Sequence, residues 1–210
     1  MARSESPEPR LPPVSDLAGR DDRPGLPAPQ PRRSVHRRVI ETEGFLRDDG
    51  LFDVEAHLVD TKQHGYRDSL GRDRRPGDRL HDIGVRLTLN AEMVVCDIEV
   101  AMPATPFSLC TGAMPSFKVL IGERVGGGWR QVIRDRVPQT EGCTHVREML
   151  AVMATVAIQT IASLSLKQSG LKLPEDQQRP GRPHFIDGCR AWDARREVVA
   201  HLYPEHARRS

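Results

Sequence analysis

Between Thr144 and Leu166 the chain carries an apolar stripe of Val146, Met149, Leu150, Met153, Val156, Ala157, Thr160, Ile161 and Leu164, at spacings of three and four. That period matches the 3.6 residues of a helical turn and predicts one long helix. The stripe is broad and continuous, so the helix must be the central packing element, lying across a sheet. Thr144 is placed to cap its start, with Arg147 and Glu148 in the first turns. Met149 and Met153 read as core filler, the common use of a flexible thioether, rather than as a soft-metal box.

Upstream the period changes to two. Val39 to Leu46 reads as a strand, Arg47-Asp48-Asp49-Gly50 supplies hairpin chemistry, and Phe52, Val54, Ala56 and Leu58 then alternate with Asp53, Glu55 and His57. Residues 63–79, with Gly65, Gly71, Pro76, Gly77 and many Arg and Asp, predict a mobile exposed loop. Ile83, Val85, Leu87 and Leu89 alternate again, Asn90-Ala91-Glu92 turns, and Met93 to Val100 returns. The expected architecture is α+β: an antiparallel four-stranded meander covered on one face by the long helix and one or two shorter helices. The shorter ones are predicted over Phe107–Ile121, where Pro115 is a candidate kink, and over Trp129–Val137. Gly126-Gly127-Gly128 lacks the strand and lysine of a phosphate loop and reads as a turn.

The predicted domain organisation has four parts. Residues 1–34 hold eight prolines and few apolar residues, the composition of a disordered tail. Residues 35–168 form the core domain, 169–183 a Pro-rich connector, and 184–206 a C-terminal segment docked on the core, drawn as a hairpin. Arg32-Arg33 is followed by no apolar stretch, which argues against an export signal. The basic cluster Arg32, Arg33, Arg37 and Arg38 reads as a solvated tail. No membrane span is visible, and 31 basic against 29 acidic residues give no electrostatic case for nucleic acid. The expected setting is cytoplasmic, with reduced thiols.

Candidate chemistry rests on cysteines and on strand-end polar groups. Cys110 lies near the start of the first short helix, Cys143 immediately before the long one, and Cys189 after Asp187-Gly188. A helix start stabilises a thiolate, and Cys143 is best placed for this, with His145 two residues on as base or second ligand. Cys143, His145 and Cys110 are the candidate catalytic residues. Cys110, Cys143 and Cys189 are candidate metal ligands, although their spacing matches no short zinc motif. Cys96, within an apolar strand, is expected to be a core residue. Asp53, Glu55 and His57, like Asp97 and Glu99, share a strand face and read as solvated surface. The alternative is a polar cleft with Asp60 and His81-Asp82 at strand ends, which adds Asp60 and His81 as candidate ligands of a divalent metal.

The segments Arg47 to Gly50, Val54 to Lys62, His81-Asp82, Pro106 to Cys110, Gly142-Cys143-Thr144-His145 and Ile186 to Cys189 resemble a bacterial family of uncharacterised proteins. It is the domain-of-unknown-function family numbered twenty-eight eighty-nine. The resemblance runs from about Val39 to Glu205, and Gly-Cys-Thr-His is its most specific piece; it implies no activity. The outline of strands followed by cysteines at helix starts is also similar to the iron–sulfur cluster scaffold family, in which three cysteines and an aspartate hold the cluster. By that likeness Cys110 and Cys143 correspond to two ligands, no cysteine matches the first, and Cys189 or Asp60 would have to substitute.

Two functions follow as expectations. One is a small-molecule enzyme with a thiol or metal site at the helix starts, its cofactor a divalent metal or an iron–sulfur cluster. The other is a non-catalytic accessory protein whose cysteines are structural and whose partner is another protein.

Overall fold

The computed structural model describes residues 26–28, 30–165, 182, 183 and 185–208. Most of the expected tail 1–34, nearly all of the connector 169–183, and Leu166 lie outside the described residues. The strands are β1 (His36–Leu46), β2 (Phe52–Lys62), β3 (Tyr66–Arg67), β4 (Asp73–Arg74), β5 (Arg79–Leu89) and β6 (Val95–Ala104). The helices are α1 (Trp129–Arg136), α2 (Thr144–Ser165) and α3 (Glu197–Leu202).

The main sheet has the order β1-β2-β5-β6, so the expected antiparallel meander is present and the fold is α+β. Its first hairpin closes where Gly50, at φ +83°, donates its N–H to Arg47 O at 3.0 Å. Only glycine enters that left-handed region without steric cost. β2 and β5 then pair from Phe52↔Leu89 to Asp60↔His81. This register puts Phe52, Val54, Ala56 and Leu58 beside Leu89, Leu87, Val85 and Ile83, all buried on one face. β6 adds Val95, Ile98 and Met102 to the same core.

The predicted loop 63–79 contains a small ribbon, β3 paired with β4. Asp68 organises it, accepting the Leu70 and Arg72 amides and the Arg72 and Arg74 guanidinium groups. Desolvation opposes the charge on Asp68, but those donors hold its carboxyl well below the usual range.

Three further expectations are corrected. The helix predicted over Phe107–Ile121 is instead two successive 3-10 turns, Ser108–Ala113 and Pro115–Leu120. Pro115 has no N–H with which to carry an α-helical ladder past Met114, so the chain breaks there. Phe117 and Leu120 still reach the core. Cys96 is exposed rather than buried, because core-facing positions on β6 fall at Val95 and Ile98, one on each side of a register shift. The segment beyond Pro183 is turns followed by α3, not a hairpin. Ile186, Ala194 and Val199 form its own apolar cluster with Phe185, Trp192 and Tyr203.

α2 covers the apolar face as its stripe predicts. Met149, Leu150 and Met153 are fully buried, each contributing about 1.5–3 kcal/mol by removal from water. Trp129 of α1 donates its indole N–H to Leu150 O at 3.0 Å. Two contacts set α2 against β1: Glu148 accepts from Arg38 near one end, and Thr160 abuts Gly44 near the other. Twelve helical residues span about 18 Å and six strand residues about 20 Å, so helix and strand run side by side in the same direction. Among the described residues no helix is long and apolar enough to cross a membrane.

The Gly44 contact leaves no room for a side chain: a Cβ there would lie 1.8 Å from Thr160 Oγ1 and 2.9 Å from Thr160 Cβ. Gly44→Ala therefore costs about 1–3 kcal/mol by overpacking, measured by urea denaturation. Adding Thr160→Ala returns only part of that loss, since the Thr160 Cβ remains; full recovery would show that the Cβ does not set the contact.

Candidate functional site

The alternation that builds the core also builds the site. On β2 the buried series Phe52, Val54, Ala56, Leu58 continues at the same parity to Asp60, which is only 1% exposed. On β5 the series Leu89, Leu87, Val85, Ile83 continues to His81, its cross-strand partner. A carboxylate and an imidazole thus stand where the next core residues belong. A buried carboxylate is costly unless partnered, and this one is held from both neighbouring strands and approached from the helix. Arg38 of β1 donates Nε to Oδ1 at 2.8 Å and Nη2 to Oδ2 at 2.7 Å, a bidentate fork. His81 Nδ1 lies 2.9 Å from Oδ2, and His145 Nε2, from the first turn of α2, lies 3.8 Å from the same oxygen. Arg38 also donates Nη1 to Glu148 at 2.6 Å.

His145 packs its ring against His81, with centroids 3.9 Å apart and planes tilted by 39°. Its other nitrogen, Nδ1, is 3.7 Å from Cys143 Sγ, so one imidazole stands between a thiol and a buried carboxylate. Burial first, then the positive potential of His81 and Arg38, pushes the His145 pKa below its ordinary value despite Asp60 and Glu148. The imidazole is therefore neutral at pH 7. Desolvation would raise the Asp60 pKa, but the Arg38 and His81 hydrogen bonds and charges outweigh it, and the carboxyl titrates below its ordinary range.

The Gly-Cys-Thr-His segment is shaped by Arg147. Its guanidinium donates to Val137 O at 2.8 Å and Pro138 O at 2.7 Å and folds over Gly142, where a Cβ would come within 2.7 Å of Nη2. Cys143 O accepts the Arg147 N–H at 3.1 Å, so Cys143, rather than the expected Thr144, is the residue that opens α2. The thiol therefore sits at the positive end of a 22-residue helix. His81, Cys110, Cys143 and His145 line a cavity of about 880 Å³ whose remaining wall includes Phe107 and Leu109.

The sequence candidates separate accordingly. Cys143 and His145 come together, and Asp60 and His81 join them. Cys110 shares the cavity from the 3-10 turn at Ser108–Ala113. Cys189 is exposed and is not part of the cavity wall. Among the described residues the one group of three or more candidate ligands is Asp60, His81 and His145, with an atom from each within 4.8 Å of the others; the proposed cysteine set is not such a group. The pair His81-Asp82 is split across the sheet by strand alternation. Asp82 accepts from His57 at 2.7 Å and from Arg79 on the opposite face, where Asp53 bonds Thr88 and Glu55 bonds Arg86. Asp97 and Glu99 both accept from Lys118. Arg38 and Glu148 were not singled out from the sequence. Beside Arg37 it reads as part of a basic tail, yet Arg38 shares the parity of Ile40, a core-packed residue, and that parity is the available signal.

Removing the carboxylate tests its structural share. Asp60→Ala destabilises the fold by about 2–3 kcal/mol, less than a fully buried pair would lose because Arg38 keeps Glu148 and some solvent. The Asp60 pKa is lowered by folding, so its contribution is complete above the ordinary carboxylate range and is lost as pH falls through the folded value. The gap between wild type and variant, read by urea denaturation, accordingly narrows below about pH 4; a constant gap would mean that the charge is not what stabilises.

A family model described as Protein of unknown function (DUF2889) matches residues 36–159, from the first residue of β1 through most of α2 and including every residue of the cluster. No curated protein and no solved structure matches the chain. With more than half of its length under that match, the chain belongs to the DUF2889 family of proteins of unknown function.

Proposed function

We propose that this protein is a thiol-dependent enzyme acting on an uncharged small acyl compound, with Cys143 as nucleophile, His145 as general base and Asp60 as the group that orients the base. The observation that carries it is the position of the His145 ring, Nδ1 toward the Cys143 sulfur at 3.7 Å and Nε2 toward the Asp60 carboxylate at 3.8 Å. A nucleophile, a base and an orienting acid in that order are what covalent catalysis requires, and such contacts tighten when substrate is bound. The separations are long for hydrogen bonds, so the reading needs a shift of under about 1 Å at His145. Arg38 keeps Asp60 ionised, and the lowered pKa of His145 leaves its lone pair available to accept a proton.

The chemistry follows from these roles. His145 Nδ1 takes the Cys143 proton as sulfur bonds to the acyl carbon of an ester. The carbon–oxygen bond breaks, and the proton passes from His145 to the departing alkoxide. Water, deprotonated by His145, then cleaves the thioester, releasing the carboxylic acid and restoring the thiol. The first-turn amides of α2, at the positive end of its dipole, are the donors available to the negative charge that develops on the carbonyl oxygen. The cavity brings Phe107, Leu109 and Ala113 to the substrate and, among the described residues, no Lys or Arg, which favours neutral, partly apolar substrates over phosphates. The expected cytoplasmic setting, with reduced thiols, fits the same reading.

Hydrolysis of p-nitrophenyl butyrate provides the test. Cys143→Ala and His145→Ala each lower kcat/KM by at least about 100-fold, and Asp60→Asn lowers kcat more than it raises KM. In the wild type, iodoacetamide modifies Cys143 faster than the exposed Cys96 and Cys189, and His145→Ala removes that advantage. An unchanged esterase rate in Cys143→Ala, or a Cys143 no more reactive than Cys96, overturns the enzyme reading in favour of a binding or accessory role.

A further inference from the structure

We infer that Asp60, His81 and His145 bind one divalent first-row transition metal ion, zinc being the best match, and that the bound ion silences the Cys143 thiol. The binding half stands independently of the proposed enzyme activity; the silencing half rests on it.

The ligand set is two imidazoles and one carboxylate from three different elements, β2, β5 and α2. Nitrogen-rich sets of this kind prefer zinc, cobalt or iron to calcium or magnesium, which take oxygen. Zinc bonds of about 2.0–2.1 Å place tetrahedral ligand atoms about 3.3 Å apart. Here His81 Nδ1 and His145 Nε2 are 2.9 and 3.8 Å from Asp60 Oδ2, on either side of that value. Adjustments of about half an ångström bring both to that value, and one atom from each of the three residues already lies within 4.8 Å of the others. Asp60, His81 and His145 are 1%, 12% and 20% exposed in their side chains, buried enough to hold an ion against water. The two histidines also face the cavity, which leaves a coordination position open there. Arg38 occupies one lone pair on each Asp60 oxygen and orients the carboxylate, while its positive charge weakens affinity. Glu148, bonded to the same guanidinium, offsets part of that charge. The balance points to a reversible site rather than a permanently filled structural one.

Silencing follows from the two nitrogens of His145. A neutral imidazole bound to metal through Nε2 carries its proton on Nδ1, the atom that faces Cys143 Sγ. It then has no lone pair with which to accept the thiol proton.

Isothermal titration of the reduced, metal-stripped full chain with Zn²⁺ alone tests binding, with Co²⁺ visible absorption as a second readout. One equivalent binds to the wild type and to Cys143→Ala, and His81→Gln weakens binding by at least about tenfold. Glutamine keeps a donor for Asp60 without an imidazole, and circular dichroism checks that this variant folds. Zinc slows iodoacetamide modification of Cys143 by at least about tenfold in the wild type, but by less than about twofold in His81→Gln at the same zinc concentration. Equal zinc affinity in wild type and His81→Gln, or loss of binding in Cys143→Ala, overturns the site. Zinc that binds through His81 without slowing Cys143 overturns the silencing. A Cys143 whose reactivity never depended on His145 defeats the enzyme reading and leaves the titration as the judge of the metal site.

Discussion

The buried carboxylate of Asp60 sets the terms for everything around it. Ionised and out of water, it would cost several kcal/mol without partners, and it sits in the row where Phe52, Val54, Ala56 and Leu58 face the core. Its partners therefore come from each element within reach: the Arg38 fork from β1, the His81 ring from β5, and the His145 ring from the start of α2. The network joins three adjacent strands and the covering helix at one end of the sheet. The opposite end needs nothing comparable, because there the same row is filled by Phe52 and Leu89. A polar cluster thus replaces the last layer of the hydrophobic core, at the place where the core opens toward a cavity.

Much of this was legible from residue order. The stripe from Val146 to Leu164 and the alternations on β2 and β5 fix the helix, the hairpins and which face is buried, because each rests on a periodicity repeated over several turns or pairs. Cys143 and His145 were legible as a pair, two residues apart at a helix start. Asp60 and His81 were visible as strand-end polar groups, and their core parity was readable in the same alternation. The 3-10 turns at Ser108–Leu120 were not, since their apolar spacing mimics an α-helix and only the position of Pro115 hints at the break. Cys96 was misplaced because a run such as Val94-Val95-Cys96 does not declare which residue faces inward until the register with β5 is known. Cys189 is exposed and is not part of the cavity wall, and no local pattern reports that. Arg38 was hidden by its neighbours, since a basic residue beside Arg37 looks solvated until its carboxylate is found.

The cluster also shows why like residues have unlike roles. His57 and His81 both lie near an aspartate, but half-buried His57 lies with the buried Asp82 on the other face of the sheet. His81 stands on the helix side with a second imidazole stacked against it. Parity alone decides between a pair on that face and a position on the cavity wall. The consecutive His81 and Asp82, read together along the sequence, lie on opposite faces of the sheet.

The small gap between Gly44 and Thr160 acts as a gauge for the distant end of α2. A helix touching β1 at two places about 18 Å apart resists sliding along its axis, and a side chain at position 44 would overlap Thr160 unless helix or strand shifts. A shift of the helix carries His145 with it, and His145 is separated from Cys143 and from Asp60 by distances that change their chemical meaning over less than an ångström. The spacing of thiol, imidazole and carboxylate is thereby calibrated by a contact that contains none of them.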